Sequence, residues 1–286
     1  MTRKKPGVKV DSPSSTQRHI WPYWTGFRGK TVWDLLHLFI VPLILVLLGL
    51  LFSYQQDARQ QQLARQRAQD EALQAYLDQM SQLILDRDLL ASQEEDPVYT
   101  LAQARTSTAI LRLDAEHNEG VTRFLTDSRL TGGGDASVSL LNRIDLRDAD
   151  LRDAFLHEAE IRGSDLRDTD FRGAFLLEAK LSESTLVGAD LRGAVLSKAI
   201  FRETNLSNAD LSYANMPEAD LGGADLRSAV LGRAFLFKAN LSGAILQEAD
   251  LSEADLKGVK GITNEELEQQ ARILEGAIMP DGSVHP

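Results

Sequence analysis

Two unlike hydrophobic patterns divide the chain. Residues 35–54 read LLHLFIVPLILVLLGLLFSY, twenty positions with no formal charge and apolar side chains on every face. Twenty helical residues at about 1.5 Å each cover about 30 Å, the thickness of a bilayer's hydrocarbon core. A core helix of a soluble domain keeps one polar face, and this run has none. Pro42 and Gly49 weaken a helix in water but are tolerated in lipid. The pattern predicts a single membrane-spanning helix over 33–54, with the lipid bilayer as partner of residues 35–54. Trp21, Tyr23, Trp24, Phe27 and Trp33 before the span and Tyr54 at its end suit the two membrane–water interfaces. A cleaved signal peptide fits less well, because the run is long, starts late and precedes no small-residue cleavage site.

The next segment, 55–92, is rich in Gln, Ala, Arg and Leu, all good helix formers. It is polar all round at first. Leu73, Tyr76, Met80, Leu83 and Ile84 then recur at spacings of three and four, a helix with one apolar stripe that is compatible with a short coiled coil. Asp96-Pro97 reads as an N-cap and first-turn pair opening a further helix with Val98, Leu101 and Ile110 among its apolar positions. Val121, Phe124 and Leu125 fit another short helix, giving a small helical module over 96–130. The run TGGGDAS at 131–137 breaks the periodicity and predicts a linker.

From Leu141 to Leu256 the period changes to five. Every position one above a multiple of five is large and apolar: from 151 to 256 these are eighteen Leu plus Ile161, Phe171, Phe201 and Met216. Two residues before each stands a small one, eighteen Ala with Ser164, Thr169, Ser184 and Thr204, and no insertion breaks the register. The residue between is Asp nine times and Asn three times. Five fits neither a helix nor a flat strand, but it fits a coil of short bends that turn one large and one small residue toward an axis. Successive coils would share main-chain hydrogen bonds at the ladder spacing of about 4.8 Å. Such a chain is a solenoid whose repeats bury their apolar faces only against their neighbours.

This pattern, A-(D/N)-L-x-x, resembles the pentapeptide repeat family. The resemblance implies a β solenoid over 138–260, a right-handed quadrilateral β-helix with four pentapeptides per coil and about six coils. Together with the span, the Gln-rich helix and the C-terminal MPDGS-H-P tail, it is similar to a bacterial subgroup of membrane-anchored pentapeptide repeat proteins. Solenoid ends need covers. At 261–286, Thr263-Asn-Glu-Glu266 reads as a capping box opening a short helix with Leu267, while Ile262, Ile273, Leu274 and Ile278 are available to cover the last coil. The helical module is placed to cover the first.

Charge refines this organisation. The net −11 resolves into +6 over 1–32, −1 over 33–54, −6 over 55–137, −6 over 138–260 and −4 over 261–286. The basic 1–32 tail favours a cytoplasmic N-terminus with the repeat on the opposite side of the membrane, although Arg18, Arg28 and Lys30 are matched near the span by Arg59, Arg65 and Arg67. An acidic excess argues against a nucleic-acid partner. The absence of cysteine excludes disulfides, thiolate metal sites and cysteine nucleophiles. The five histidines are scattered, and no nucleotide-binding, metalloprotease or serine-hydrolase motif is present. No catalytic residue, cofactor or metal is expected.

With the large and small positions turned inward, function falls on the outer positions. Arg147, Arg152, Arg162, Arg167, Arg172 and Arg192 alternate there with Asp148, Asp150, Asp153, Asp165 and Asp168, a solvated mixed-charge surface. One column breaks the rule. Phe155, Phe175, Val195, Asn215 and Phe235 lie twenty residues apart, beside His157, Leu177, Ser197, Pro217 and Phe237. Phe155, Phe175, Leu177, Val195, Phe235 and Phe237 therefore form a candidate interaction strip for an unidentified protein partner or for self-association. The expected function is a non-enzymatic, membrane-anchored scaffold or interaction protein. The family resemblance also implies an alternative, a DNA-mimicking topoisomerase-binding rod, which the mixed charge of the repeat disfavours; an enzyme is the remotest of the three readings.

Overall fold

The computed structural model describes residues 32–133 and 138–286. The basic tail and its aromatic residues before position 32, and the linker residues 134–137, lie outside the described residues. The chain divides into two compact units, Met1–Arg65 and Gln66–Pro286.

In the first unit the described chain is helical. Helix α1 runs without interruption over Val32–Arg87, with Pro42 inside it. Among the described residues one helix is thus long and apolar enough to cross a membrane: its apolar window has a mean hydropathy of 1.9 and is 0% buried. Phe39, Leu45 and Phe52 are each more than 60% exposed. Ser53 donates to the Leu50 carbonyl at 3.0 Å and so satisfies its hydroxyl within the helix.

The second unit begins inside the same helix, which ends at Arg87 rather than continuing to 92; Asp88 in the left-handed region and a 3₁₀ turn, Leu89–Ala91, stop it. Helices α2 (Pro97–Ile110) and α3 (Ala115–Asp127) follow. The α1 stripe is spent on them. Tyr76, Met80 and Leu83 are buried with Leu89, Ile110, Val121 and Leu125, and the Tyr76 hydroxyl lies 3.0 Å from that of Thr106. Asp96 precedes α2 as expected, but its carboxylate accepts from the Gln93 amide and closes the preceding turn instead of capping the helix. Leu101 is 44% exposed, because the inward face of α2 is Tyr99, Ala102, Thr106 and Ile110.

From residue 145 the chain pairs with itself twenty residues on, always in parallel: Asp145 with Asp165, Asp150 with Asp170, Phe155 with Phe175, Glu160 with Lys180, and so to Asn240 with Lys260. Four ladders therefore run the length of the coil. Each five-residue unit gives three bonds to the next turn, as in Leu146 N to Asp165 O (2.9 Å), Asp148 N to Arg167 O (3.1 Å) and Asp165 N to Ile144 O (2.9 Å). The large and small columns are buried throughout, with most members fully enclosed. Where the small residue is Ser or Thr, its hydroxyl donates to a carbonyl of the preceding turn: Ser164 to Leu141, Thr169 to Leu146, Ser184 to Ile161 and Thr204 to Leu181. No buried hydroxyl in that column is left unpaired, which is what makes these substitutions tolerable.

The corners explain the two free positions. The second corner residue has φ between +53° and +71° at every unit from Arg143 to Gly258, and the next small residue closes the bend, as in Ala154 N to Leu151 O at 3.2 Å. These are the marks of a type II turn. Most of these corners carry a non-glycine residue. Each left-handed residue costs roughly 1–2 kcal/mol, offset by its own ladder bond, as Asp153 N makes to Arg172 O.

Both ends are covered. Four carbonyls of the first turn, which have no preceding turn to serve, accept from side chains instead: Asp145 from Ser107 (2.7 Å), Asp150 from Asn118 (2.8 Å), Phe155 from Thr126 (3.4 Å) and Glu160 from Ser139 (2.6 Å). The start of the Gly-rich run belongs to this cover: Thr131 pairs antiparallel with Ser139 and its carbonyl accepts from Glu160 N. At the other end Thr263 and Glu266 form the capping box of α4 (Asn264–Gln270), and Leu267 is fully buried. The coil then resumes, beyond the 138–260 span that the five-residue period predicts. Ile273 pairs with Asp250 and Ile278 with Asp255, while Leu274, Ala277 and Met279 turn inward. Residues 281–286 fold back, with Val284 antiparallel to Ile278.

Candidate interaction face of the solenoid

Each ladder defines one face, and the faces differ in what stands beside the ladder residue. Where the repeat reads Asp-Leu-Arg, or Asp-Phe-Arg at 170–172, the arginine forks onto the aspartate two residues before it. Arg152 donates to Asp150 at 2.7 and 2.6 Å, and Arg147, Arg167, Arg172, Arg192 and Arg227 repeat the arrangement on Asp145, Asp165, Asp170, Asp190 and Asp225. Each arginine on the Asp150 ladder also reaches the aspartate of the next turn: Arg152 to Asp170 at 3.6 Å, Arg172 to Asp190 at 3.5 Å and Arg192 to Asp210 at 3.6 Å. The hydrogen bonds from Arg152 hold the Asp150 carboxyl below its usual range, against the opposing effect of burial. The alternating charges read in the sequence are therefore a ladder of paired charges. Asp148, Asp153 and Asp168 are different: they occupy the left-handed corner position.

The Phe155 ladder has no such pairs. Phe155, Phe175, Val195, Asn215 and Phe235 stand in one parallel column, as their twenty-residue spacing predicts. Phe175 is 42% and Phe235 40% exposed, and Leu177, Val195 and Phe237 are half-buried. The three phenylalanines of the column do not form one continuous stack. Phe155 and Phe175 stack at 5.1 Å, but Val195 and Asn215 intervene, and Phe235 stacks instead on Phe237 at 6.0 Å. Arg123 of α3 lies over the Phe155 ring at 4.3 Å, so the first turn of this face is already partly covered. Beyond it the exposed apolar groups form two clusters.

A charged row follows the corner beside this face: Glu158, Glu178, Lys198, Glu218 and Lys238. Lys198 bonds Glu178 at 3.1 Å, and Lys238 stands over the Phe237 ring at 5.0 Å. His157 sits at the same corner, its Nδ1 3.1 Å from the Leu177 carbonyl and its Nε2 3.1 Å from Glu158.

Sequence reasoning passed over a further polar site in the helical module. His117 is buried between two carboxylates, with Nδ1 2.6 Å from Asp114 and Nε2 3.2 Å from Asp70. Burial pushes the imidazole pKa down, but the bonds to Asp114 and Asp70 outweigh it and the net shift is upward. Asp114 is also the N-cap of α3, accepting from His117 N. The D-A-E-H spacing carried that signal. Among the described residues no group of three or more His, Asp or Glu side chains is placed to hold a metal ion.

The family model described as pentapeptide repeats matches in eight copies between residues 139 and 260. No curated protein matches the chain. Among solved structures, the chain is similar to HetL, a pentapeptide repeat protein involved in heterocyst differentiation regulation from the cyanobacterium Nostoc sp. strain PCC 7120. The two are 31% identical over 50% of this chain and 86% of that chain, with a TM-score of 0.19. Rfr23, a pentapeptide repeat protein from the cyanobacterium Cyanothece 51142, is 30% identical over 36% of this chain and 88% of its own, with a TM-score of 0.23. QnrB1, a plasmid-mediated fluoroquinolone resistance protein, is 14% identical over 46% of this chain and 85% of its own, with a TM-score of 0.17. The chain belongs to the pentapeptide repeat family, and its repeats form the β-helix solenoid of that family.

Proposed function

We propose that this protein is a non-enzymatic, single-pass membrane scaffold that presents its solenoid as a protein-binding surface. Residues 35–54 enter the bilayer, the basic tail over 1–32 stays in the cytoplasm, and the repeat works on the opposite side. The unburied apolar part of α1 supports the tether, since a helix apolar on all faces has no stable place in water.

The observation that carries the binding role is the contrast between faces. The Asp-Arg ladders are satisfied within the chain, whereas Phe175 and Phe235 project from a face with no such ladder. Exposed apolar clusters on an otherwise polar surface mark a contact surface. A photo-crosslinking residue in place of Val195, at the middle of that face, tests this in the membrane-bound protein. A discrete crosslinked product is expected. The same yield from Gln247, on the opposite Asp145–Ile245 side, or no product at all, would count against the face.

The DNA-mimicking alternative draws less support. A mimic of a phosphate backbone needs rows of unpaired carboxylates, and here the aspartates of the Asp-Leu-Arg units are neutralised by arginine.

A further inference from the structure

Resting on the reading of the Phe155–Phe235 face as a contact surface, we infer that its occupant is a second copy of this chain, running antiparallel. The two-fold axis lies between the turn of Val195 and the turn of Asn215.

A flat ladder face can meet its own copy in this way when the axis crosses the face at right angles to the coil. The direction of the coil is then reversed while each column of one copy meets the same column of the other. With the axis between Val195 and Asn215, Phe175 meets Phe235 of the second copy, and Leu177 meets Phe237. The exposed apolar clusters at the two ends of the face are thereby brought together twice.

The corner row favours this register over those half a turn away. The same operation sets Glu178 against Lys238 and Lys198 against Glu218, so every charge in that stretch meets its opposite. Moving the axis by half a turn, onto Val195 or onto Asn215, puts Glu178 on Glu218 or Lys198 on Lys238, with a like pair on the axis itself. Like charges so juxtaposed reject the register. The opposite edge of the face agrees: Gly193 meets Tyr213, which is 60% exposed, and Gly173 meets Arg233, small against large in both cases. At the rim, Arg123, lying over Phe155, comes to face Asp255.

The contact is small. Four turns at about 4.8 Å by one five-residue side, at most about 17 Å wide, cover about 320 Å², short of the ~800 Å² per partner of a standard stable interface. Association is therefore weak in free solution. Covalent trapping is the suitable readout.

The native chain has no cysteine, so the full-length protein in detergent or vesicles can carry one chosen thiol. E178C and K238C, mixed and oxidised, are expected to give a disulfide-linked heterodimer, while each variant alone gives none. Identical positions lie three turns, about 14 Å, apart along the coil axis in this register, beyond the ~7 Å Cα separation a disulfide allows. E178K is expected to weaken trapping of the central pair K198C with E218C, and adding K238E to E178K to restore it. Dimers of E178C alone, or no heterodimer in the mixture, would overturn the antiparallel pair. The photo-crosslinker at Val195 separates the two failures. A product of mass other than twice the chain leaves the face an interface but removes the second copy, and no product at all removes both.

Discussion

The Asn118 side-chain amide donates to the Asp150 carbonyl at 2.8 Å, where a preceding turn of the solenoid would otherwise donate. The same amide bonds the Ile110 and Leu113 carbonyls at 2.9 and 3.1 Å. One buried residue of α3 thus joins the end of α2 to the first turn. Asn118→Ala leaves these carbonyls without a donor and is expected to cost about 1–3 kcal/mol. Hydrogen exchange should show the loss at residues 145–160 and leave the central turns protected. Uniform loss along the coil, or none at all, would show that α3 does not secure that end.

Leu191 is fully buried in the centre column. Leu191→Asp is expected to cost at least about 4 kcal/mol, because an unpaired carboxylate replaces an apolar centre, and to open several turns to protease. Leu191→Ala should cost about 2–5 kcal/mol, from lost burial and the cavity left behind. Unchanged melting and protease resistance in the aspartate variant would place that column outside the core.

Arg172 pairs with Asp170 and Asp190, yet its side chain is 43% exposed. Such exposed pairs are screened by water and add little to stability. Arg172→Ala should therefore shift the denaturation midpoint far less than Leu191→Ala, and its own shift should shrink further in high salt. A loss as large as that of the leucine variant would mean the charge ladders hold the coil together.

His117 gives the helical module a pH dependence. Its folded pKa is raised above the ordinary 6.5, so its contribution is complete below about pH 6.5 and is lost as pH rises through the folded value. The imidazolium donates to both Asp114 and Asp70, whereas the neutral ring donates only once. Melting of the wild type minus that of His117→Gln should be larger at pH 6 than at pH 8.5. A constant difference, or one that grows with pH, would contradict this.

Much of the fold was legible because the pentapeptide register never slips between Leu141 and Leu256. Inward columns, ladder partners and the Phe155–Phe235 column all follow from counting. Residues outside that register were harder to place. The coil returns at Ile273 after α4 adds three residues to the usual spacing, and its Ala277-Ile278-Met279 repeats the small–x–large signature out of phase. Leu101 faces outward because Tyr99, Ala102 and Thr106 fill the inner face of α2. Asp96 spends its carboxylate on Gln93, a choice between two local bonds that residue type alone does not make. The column also hid a side-chain preference: Phe235 stacks on Phe237 in its own turn, since its neighbour one turn back is Asn215.

The most direct test of a membrane-tethered solenoid combines extraction with labelling. Single cysteines replace Ser12 in the tail and Ser197 on the candidate face of the full-length chain, and an impermeant maleimide is added to sealed right-side-out vesicles. The protein should remain in the membrane after alkaline carbonate, with the thiol at position 197 labelled at once and that at position 12 only after the vesicles are opened. Release by carbonate would contradict the tether, and the reverse labelling pattern would place the solenoid on the cytoplasmic side.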